Sequence, residues 1–137
     1  MVDGVVPDVV GQADYSQAVQ QVANVGLLPQ TYPVASNEPQ GTVVGQNPAA
    51  GTQVPTDQPV RLNVSLGPGT RSAGPIPDLT GLKALDALVK CASTKYTCRI
   101  VFRSAPSASS RGEVLAQQPQ AGVQAPGLTQ ITLYVGK

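Results

Sequence analysis

Between residues 14 and 26 apolar side chains recur with helical spacing. Tyr15, Ala18, Val19 and Val22 fall at i, i+3, i+4 and i+7, which places them on one face of a helix. Asp14, with Gln17 three residues on, has the form of a capping box, in which the carboxylate accepts an orphan N–H of the first turn. Gly26 supplies the stop, because it enters the left-handed region without steric cost. Leu27 beyond it folds back onto the apolar face, and Pro29 prevents continuation. The period then changes to two. Val60, Leu62, Val64 and Leu66 alternate with Arg61, Asn63 and Ser65, the pattern of a strand with one wet face. Val43 and Val44 form the preceding strand, and Asn47-Pro48-Ala49-Ala50-Gly51 between them carries turn chemistry. These elements make a helix on a small sheet.

The same words return later in the chain. Val6-Pro7-Asp8-Val9-Val10-Gly11 reappears seventy positions on as Ile76-Pro77-Asp78-Leu79-Thr80-Gly81. Gly41 to Gly51 reappears seventy-one positions on as Gly112 to Gly122. A fixed period across independent words predicts two tandem copies of one module, residues 1–67 and 76–137, joined by a Gly/Pro/Ser linker over 68–75. In the second copy Leu85, Leu88, Val89 and Ala92 form the helical face, and Ile131, Leu133 and Val135 match Val60, Leu62 and Val64. No good N-cap precedes this helix, and a constant seventy-residue offset sets Tyr96 where Gly26 stood.

Cys91 near the helix end and Cys98 at the start of the next strand, Arg99 to Arg103, flank a helix-to-strand corner. A disulfide there closes a short loop and contributes about 2.5 kcal/mol on the chain-entropy model. The competing readings are two reduced core thiols and half of a metal site. With no His and no third Cys, the metal reading lacks ligands. A bridge would place the protein in an oxidising compartment outside the cytoplasm.

Composition excludes more than it assigns. Of 137 residues 41% are hydrophobic and 12% charged, with 14 Gly and 13 Pro, which describes a turn-rich chain with small cores. No apolar run approaches the roughly 18 residues that span a bilayer. Met1-Val2-Asp3-Gly4 has neither a basic nor an apolar signal region, so a segment excised from a longer chain is expected, with any membrane contact made by a segment outside it. The net charge of +1 conceals an asymmetry: five acids and Arg61 give residues 1–67 a net −4, while seven bases and three acids give residues 76–137 a net +4. Opposed charges of this kind steer an anionic ligand to the second copy or attract the copies to each other; drifted solubilising charge is the plainer reading. Without His the usual general base near neutral pH is missing, no Ser or Cys has a visible partner, and the acids are scattered, so no enzyme, cofactor or metal is expected. A nearly neutral chain with one Phe lacks the basic stripe and stacking platform of a nucleic-acid binder.

Val6-Pro7-Asp8-Val9-Val10-Gly11, Ala18, Gly26-Leu27, Val43 to Thr52 and Val60 to Gly67 resemble the PASTA domain of bacterial cell-envelope proteins. The second copy fits through Ile76-Pro77-Asp78-Leu79, Gln117 to Gly122 and Ile131 to Val135, and departs at its cysteine-bearing helix and at the Gly26-Leu27 equivalent. The resemblance implies an α+β fold, each module one helix on a three-stranded sheet, arranged in strings on the cell-wall face of a plasma membrane. It further implies attachment to the catalytic domain of a serine/threonine kinase or penicillin-binding protein, and recognition of uncrosslinked peptidoglycan fragments, the muropeptides. A monomer is expected.

Most motif residues read as structural. Pro7, Asp8, Pro77 and Asp78 set and cap local backbone, and Gln46-Asn47-Pro48 and Gln117-Gln118-Pro119 are turn chemistry first, with amides available to a sugar second. Tyr32, Tyr96 and Tyr134 suit stacking on a sugar ring, or half-burial on a small sheet. The ligand candidates are Arg99, Arg103 and Arg111. Arg99 and Arg103 share the parity of one strand face, opposite Ile100 and Phe102, and a guanidinium grips a stem-peptide carboxylate in a bidentate fork. The same charges also guard an edge strand against unwanted pairing. Two function classes follow: a cell-wall-binding module, and a spacer that positions a neighbouring enzyme. A stiff linker favours the spacer and independently moving modules favour separate binding heads. If the cysteines are bridged, a thiol assay on denatured, unreduced protein will find none; two thiols per chain would contradict the bridge.

Overall fold

The computed structural model describes residues 3–55 and 59–137; Met1, Val2 and Asp57, which entered the reading of the N-terminus and of the charge balance, lie outside the described residues. Asp14 caps helix α1 (Tyr15–Asn24), but its carboxylate meets Ser16, accepting from the backbone N–H at 3.0 Å and the hydroxyl at 2.6 Å, rather than forming a reciprocal box with Gln17. Those bonds, the Ser16 hydroxyl first, hold the Asp14 carboxyl below the ordinary carboxylate range. Tyr15, Ala18, Val19 and Val22 are all buried, as the spacing requires. Gly26, at φ 82°, ends the helix, and the Leu27 N–H returns to the Val22 carbonyl at 3.3 Å.

Pro29 lies within a strand, β2 (Leu28–Val34). It runs parallel to β5 (Pro59–Ser65), which pairs antiparallel with β3 (Val43–Asn47), giving the order β2-β5-β3. β1 (Asp3–Val5) and β4 (Gln53–Pro55) form a separate antiparallel ribbon. Val60, Leu62 and Val64 point to α1 from the inner face and are fully buried. The plan recurs in the second module: β6 (Ala73–Pro75) with β9 (Gln124–Pro126), then α2 (Ala84–Ser93) on β7 (Thr97–Arg103), β10 (Gln130–Gly136) and β8 (Val114–Gln118), in the order β7-β10-β8. β6 comes from the segment read as linker; Arg71 also ties that segment to the second module, its Nε–H donating to the Gly127 carbonyl at 2.7 Å.

Gln46 and Gln117 are committed to the fold. Gln46 Oε1 accepts from the Val9 N–H at 3.0 Å while its Nε2 donates to the carbonyls of Pro7 and Pro48; Gln117 does the same with Leu79, Pro77 and Pro119. These bonds tie the Pro-Asp segment to the sheet, which explains why both words recur together. Asp78 caps its own turn through Thr80, as expected.

Two local expectations change. The offset between modules at the helix end is sixty-nine rather than seventy, so Lys95, not Tyr96, takes the Gly26 position. Lys95 adopts φ 72°, and the Tyr96 N–H returns to the Cys91 carbonyl as Leu27 does to Val22. The buried face of α2 is Ala87, Leu88, Cys91 and Ala92; Leu85 is half-buried, and Val89 packs on the core of the first module. Lys83 precedes α2 without a side-chain cap, as the sequence indicates. Cys91 and Cys98 are bridged, with Cα atoms 6.5 Å apart.

The modules close on one another through residues that read as polar. α1 packs against α2 and β2 lies beside β7. The buried Tyr15 hydroxyl donates to the Tyr96 carbonyl at 2.7 Å, and Tyr96 donates onward to Gly74 and Ala125. Thr31 Oγ1 and Gln30 Oε1 accept from the Cys98 and Ile100 N–H groups at 2.7 and 2.8 Å, so side chains of one module satisfy the exposed edge of the other. Leu28 joins the second core, while Ala92 and Leu128 join the first. The result is one body with both helices on one side and both sheets on the other.

Lys95→Gly removes a left-handed lysine and is expected to stabilise the chain by about 0.5–1 kcal/mol in urea unfolding, since the Asp14–Lys95 ion pair lost with it is exposed and weak. Tyr15→Phe leaves a buried carbonyl unpaired and should cost about 1–3 kcal/mol at neutral pH. Burial, with the Asp14 carboxylate nearby, raises the Tyr15 pKa far above its ordinary value of 10.0. The Tyr15 contribution is therefore complete below pH 10.0 and declines as pH rises further, because only the unfolded hydroxyl ionises. Stability measured against alkaline pH will show a shallower fall in the Tyr15→Phe variant.

Candidate ligand-binding face

Strand alternation decides which side chains leave the core. In the second module Ile131, Leu133 and Val135 point inward, so Thr132 and Tyr134 point outward, and their partners in the parallel β7 register are Arg99 and Val101. Arg99 is half-buried, its Nε–H donating to Thr132 Oγ1 at 3.1 Å. Arg103 is exposed, with its guanidinium carbon 4.1 Å from the Tyr134 ring centroid, a cation–π stack. The expected shared face of Arg99 and Arg103 is therefore present, with Ile100 packed on the core opposite. Phe102, expected on the apolar side with it, remains 47% exposed near the strand end.

Arg111 follows a 3-10 turn (Ala108–Ser110) and bridges Gly136 at the sheet end, where Arg103 registers with the same glycine from β7. Gly136 has no room for a side chain, because a Cβ there would collide with the Ser110 carbonyl. The fold thus brings Arg103 and Arg111 to opposite sides of one residue. Arg99 stands further back along β7.

The first module contributes a residue that the sequence reading passed over. Arg61 leaves β5 on the outer face, stacks on Tyr32 at 3.9 Å and donates its Nε–H to Asn63 Oδ1 at 2.9 Å. Its signal was visible: it is the polar member of the Val60-Leu62-Val64 alternation and the single base among residues 1–67. Tyr32 and Tyr134 each lie beneath an arginine, while Tyr96 is buried and belongs to the junction.

A recess of about 320 Å³ also opens between the modules, lined by residues that include Asp14, Tyr15, Gly41, Lys95 and Leu128. Its polar groups are already engaged: Asp14 with Ser16 and, at 3.7 Å, with Lys95, and Tyr15 with Tyr96. Among the described residues no cluster of three or more His, Cys, Asp or Glu is arranged to hold a metal, and no helix is long and apolar enough to cross a membrane.

Residues 4–66 match the family model of the PASTA domain. The first module is a PASTA domain. The second repeats its element order, its glutamine tie and its mixed sheet, so both are α+β PASTA-type modules. The serine/threonine-protein kinase PknB of Mycolicibacterium smegmatis is 36% identical over 96% of this chain, and that of Mycobacterium tuberculosis strain H37Rv is 33% identical over 96%. The chain spans about a fifth of the length of these curated relatives, 20% and 21% respectively. A solved structure of the entire extracellular region of the Ser/Thr kinase PrkC from Staphylococcus aureus aligns with 99% of this chain and 47% of its own, at 20% identity and a TM-score of 0.45. PASTA domains are non-catalytic regions of kinases and penicillin-binding proteins, and residues 4–66 of this chain match that domain.

Proposed function

We propose that this PASTA pair is an extracytoplasmic cell-wall-binding region that recognises muropeptides and so targets or regulates an attached kinase or penicillin-binding protein. In this reading residues 1–67 and 76–137 are the modules, 68–75 is the joint, and Arg99, Arg103 and Arg111 supply the ligand contacts. The observation that carries it is the outer sheet face of the second module. Arg99 and Arg103 are anchored there by Thr132 and Tyr134, and neither meets a carboxylate among the described residues. Guanidinium groups held in place with open ends suit the free carboxylates of an uncrosslinked stem peptide. The kinship with PknB supports the kinase as the attached enzyme, and the disulfide supports a location outside the cytoplasm.

A spacer that binds nothing tightly is the second reading. The closed junction favours it, because a single body transmits orientation better than a flexible pair. Titration of isotopically labelled protein with muropeptides separates the two. Saturable backbone NMR shifts clustered at Arg99 and Arg103 are expected, with affinity falling about tenfold or more in the Arg99→Ala, Arg103→Ala double variant, as for loss of charged hydrogen bonds. An absence of shifts at millimolar ligand would leave the spacer.

A further inference from the structure

Counted by sequence, the first module is acidic and would repel the anion that the second attracts. The fold removes that conflict. Arg61 registers with Gln30 on β2, and Gln30 Oε1 accepts from the Ile100 N–H on β7, directly beside Arg99. Arg99 in turn registers with Thr132 on β10 and donates to it. A row of outward side chains, Arg61, Gln30, Arg99 and Thr132, therefore crosses four strands and both modules. No strand of the two three-stranded sheets contains an Asp or Glu. Of the acids that make the first module negative by count, Asp14 sits off this face, at the start of α1.

Arg61 is also prepared as Arg103 is. Each guanidinium lies over a tyrosine ring, and the Nε–H of Arg61 is occupied by Asn63, as that of Arg99 is by Thr132. The terminal N–H groups of Arg61 and Arg99, which grip an oxyanion, are not the ones these hydrogen bonds use. On ordinary strand spacing Arg61 and Arg99 stand roughly 10 Å apart, and Arg99 and Arg103 about 13 Å apart along β7. A small anion reaches only one of them; a peptide with carboxylates at intervals reaches two or three.

We propose that Arg61 of the first module, seated on Tyr32, acts with Arg99 and Arg103 of the second as one composite site for a single ligand bearing at least two carboxylates. Given the cell-wall reading above, on which this rests, that ligand is an uncrosslinked stem peptide lying across both modules. The domain pairing then belongs to the binding site itself, because parting the modules would separate Arg61 from Arg99.

The test titrates the full chain and its Arg61→Gln and Arg99→Gln plus Arg103→Gln variants with a muropeptide carrying a free stem peptide, and with the same compound after amidation of its carboxylates. One ligand per chain is expected, with shifts at Tyr32 and Asn63 as well as at Arg99 and Arg103. Arg61→Gln should weaken binding about tenfold, and amidation should weaken binding to the wild type at least as much. Urea midpoints check that the substitutions leave the fold intact. Unchanged affinity in Arg61→Gln, with loss in the Arg99, Arg103 variant, would overturn the composite site and leave the cell-wall reading standing. No binding by the wild type would overturn both, and equal binding of the amidated compound would overturn the carboxylate assignment.

Discussion

The Tyr15 hydroxyl is the constraint around which the two modules are arranged. Its ring is the first apolar residue of α1 and packs in the first core, while its proton goes to the Tyr96 carbonyl of the second. A phenol buried to this degree requires a partner, because leaving the hydroxyl or that carbonyl unpaired costs about 1–3 kcal/mol. Tyr96 repeats the arrangement inside the second module, with its hydroxyl on Gly74 and Ala125. The first core is thereby tied to the second helix end, and through Tyr96 to the β6–β9 ribbon. The opposed net charges of the halves play a lesser part, since the ion pair found across the junction, Asp14–Lys95, is solvent-exposed.

The disulfide belongs to the same corner. Cys91 lies on the buried face of α2 near its end, and Cys98 is the second residue of β7, where its N–H meets Thr31 of the first module. The bridge thus constrains the stretch of backbone that carries Lys95, Tyr96 and the edge of β7. An edge strand normally presents unpaired donors to solvent or to a neighbouring chain. Here Gln30 and Thr31 occupy two of those donors from within the same chain.

Closing the junction has a consequence for the opposite side of the molecule. With both helices on one side, the outer faces of both sheets lie on the other, and cations that the sequence distributes unequally come to share one surface. Local pairing holds them there, through stacking on Tyr32 and Tyr134 and hydrogen bonds to Asn63 and Thr132. Arginines restrained in this way lose less side-chain freedom on binding than extended ones do.

Much that depends on neighbours in sequence was legible from the chain alone: α1 and its Gly26 stop, the alternation that buries Val60, Leu62 and Val64, the tandem repeat, the Cys91–Cys98 pair, and the common side of Arg99 and Arg103. These follow from backbone period and local turn chemistry, which a sequence records directly. Tertiary structure alone decided that Lys95 takes left-handed angles, that Val89 packs on the other core, that Gln46 and Gln117 bond to the distant Pro-Asp segments, and that Arg61 lies in line with Arg99. The physical reason is that a residue pattern reports whether a face is wet or dry, but not which polar face meets which. This junction is built from the hydroxyl of a tyrosine on an apolar helix face, a threonine, a glutamine and strand-edge N–H groups, and no spacing along the chain says which of them meet.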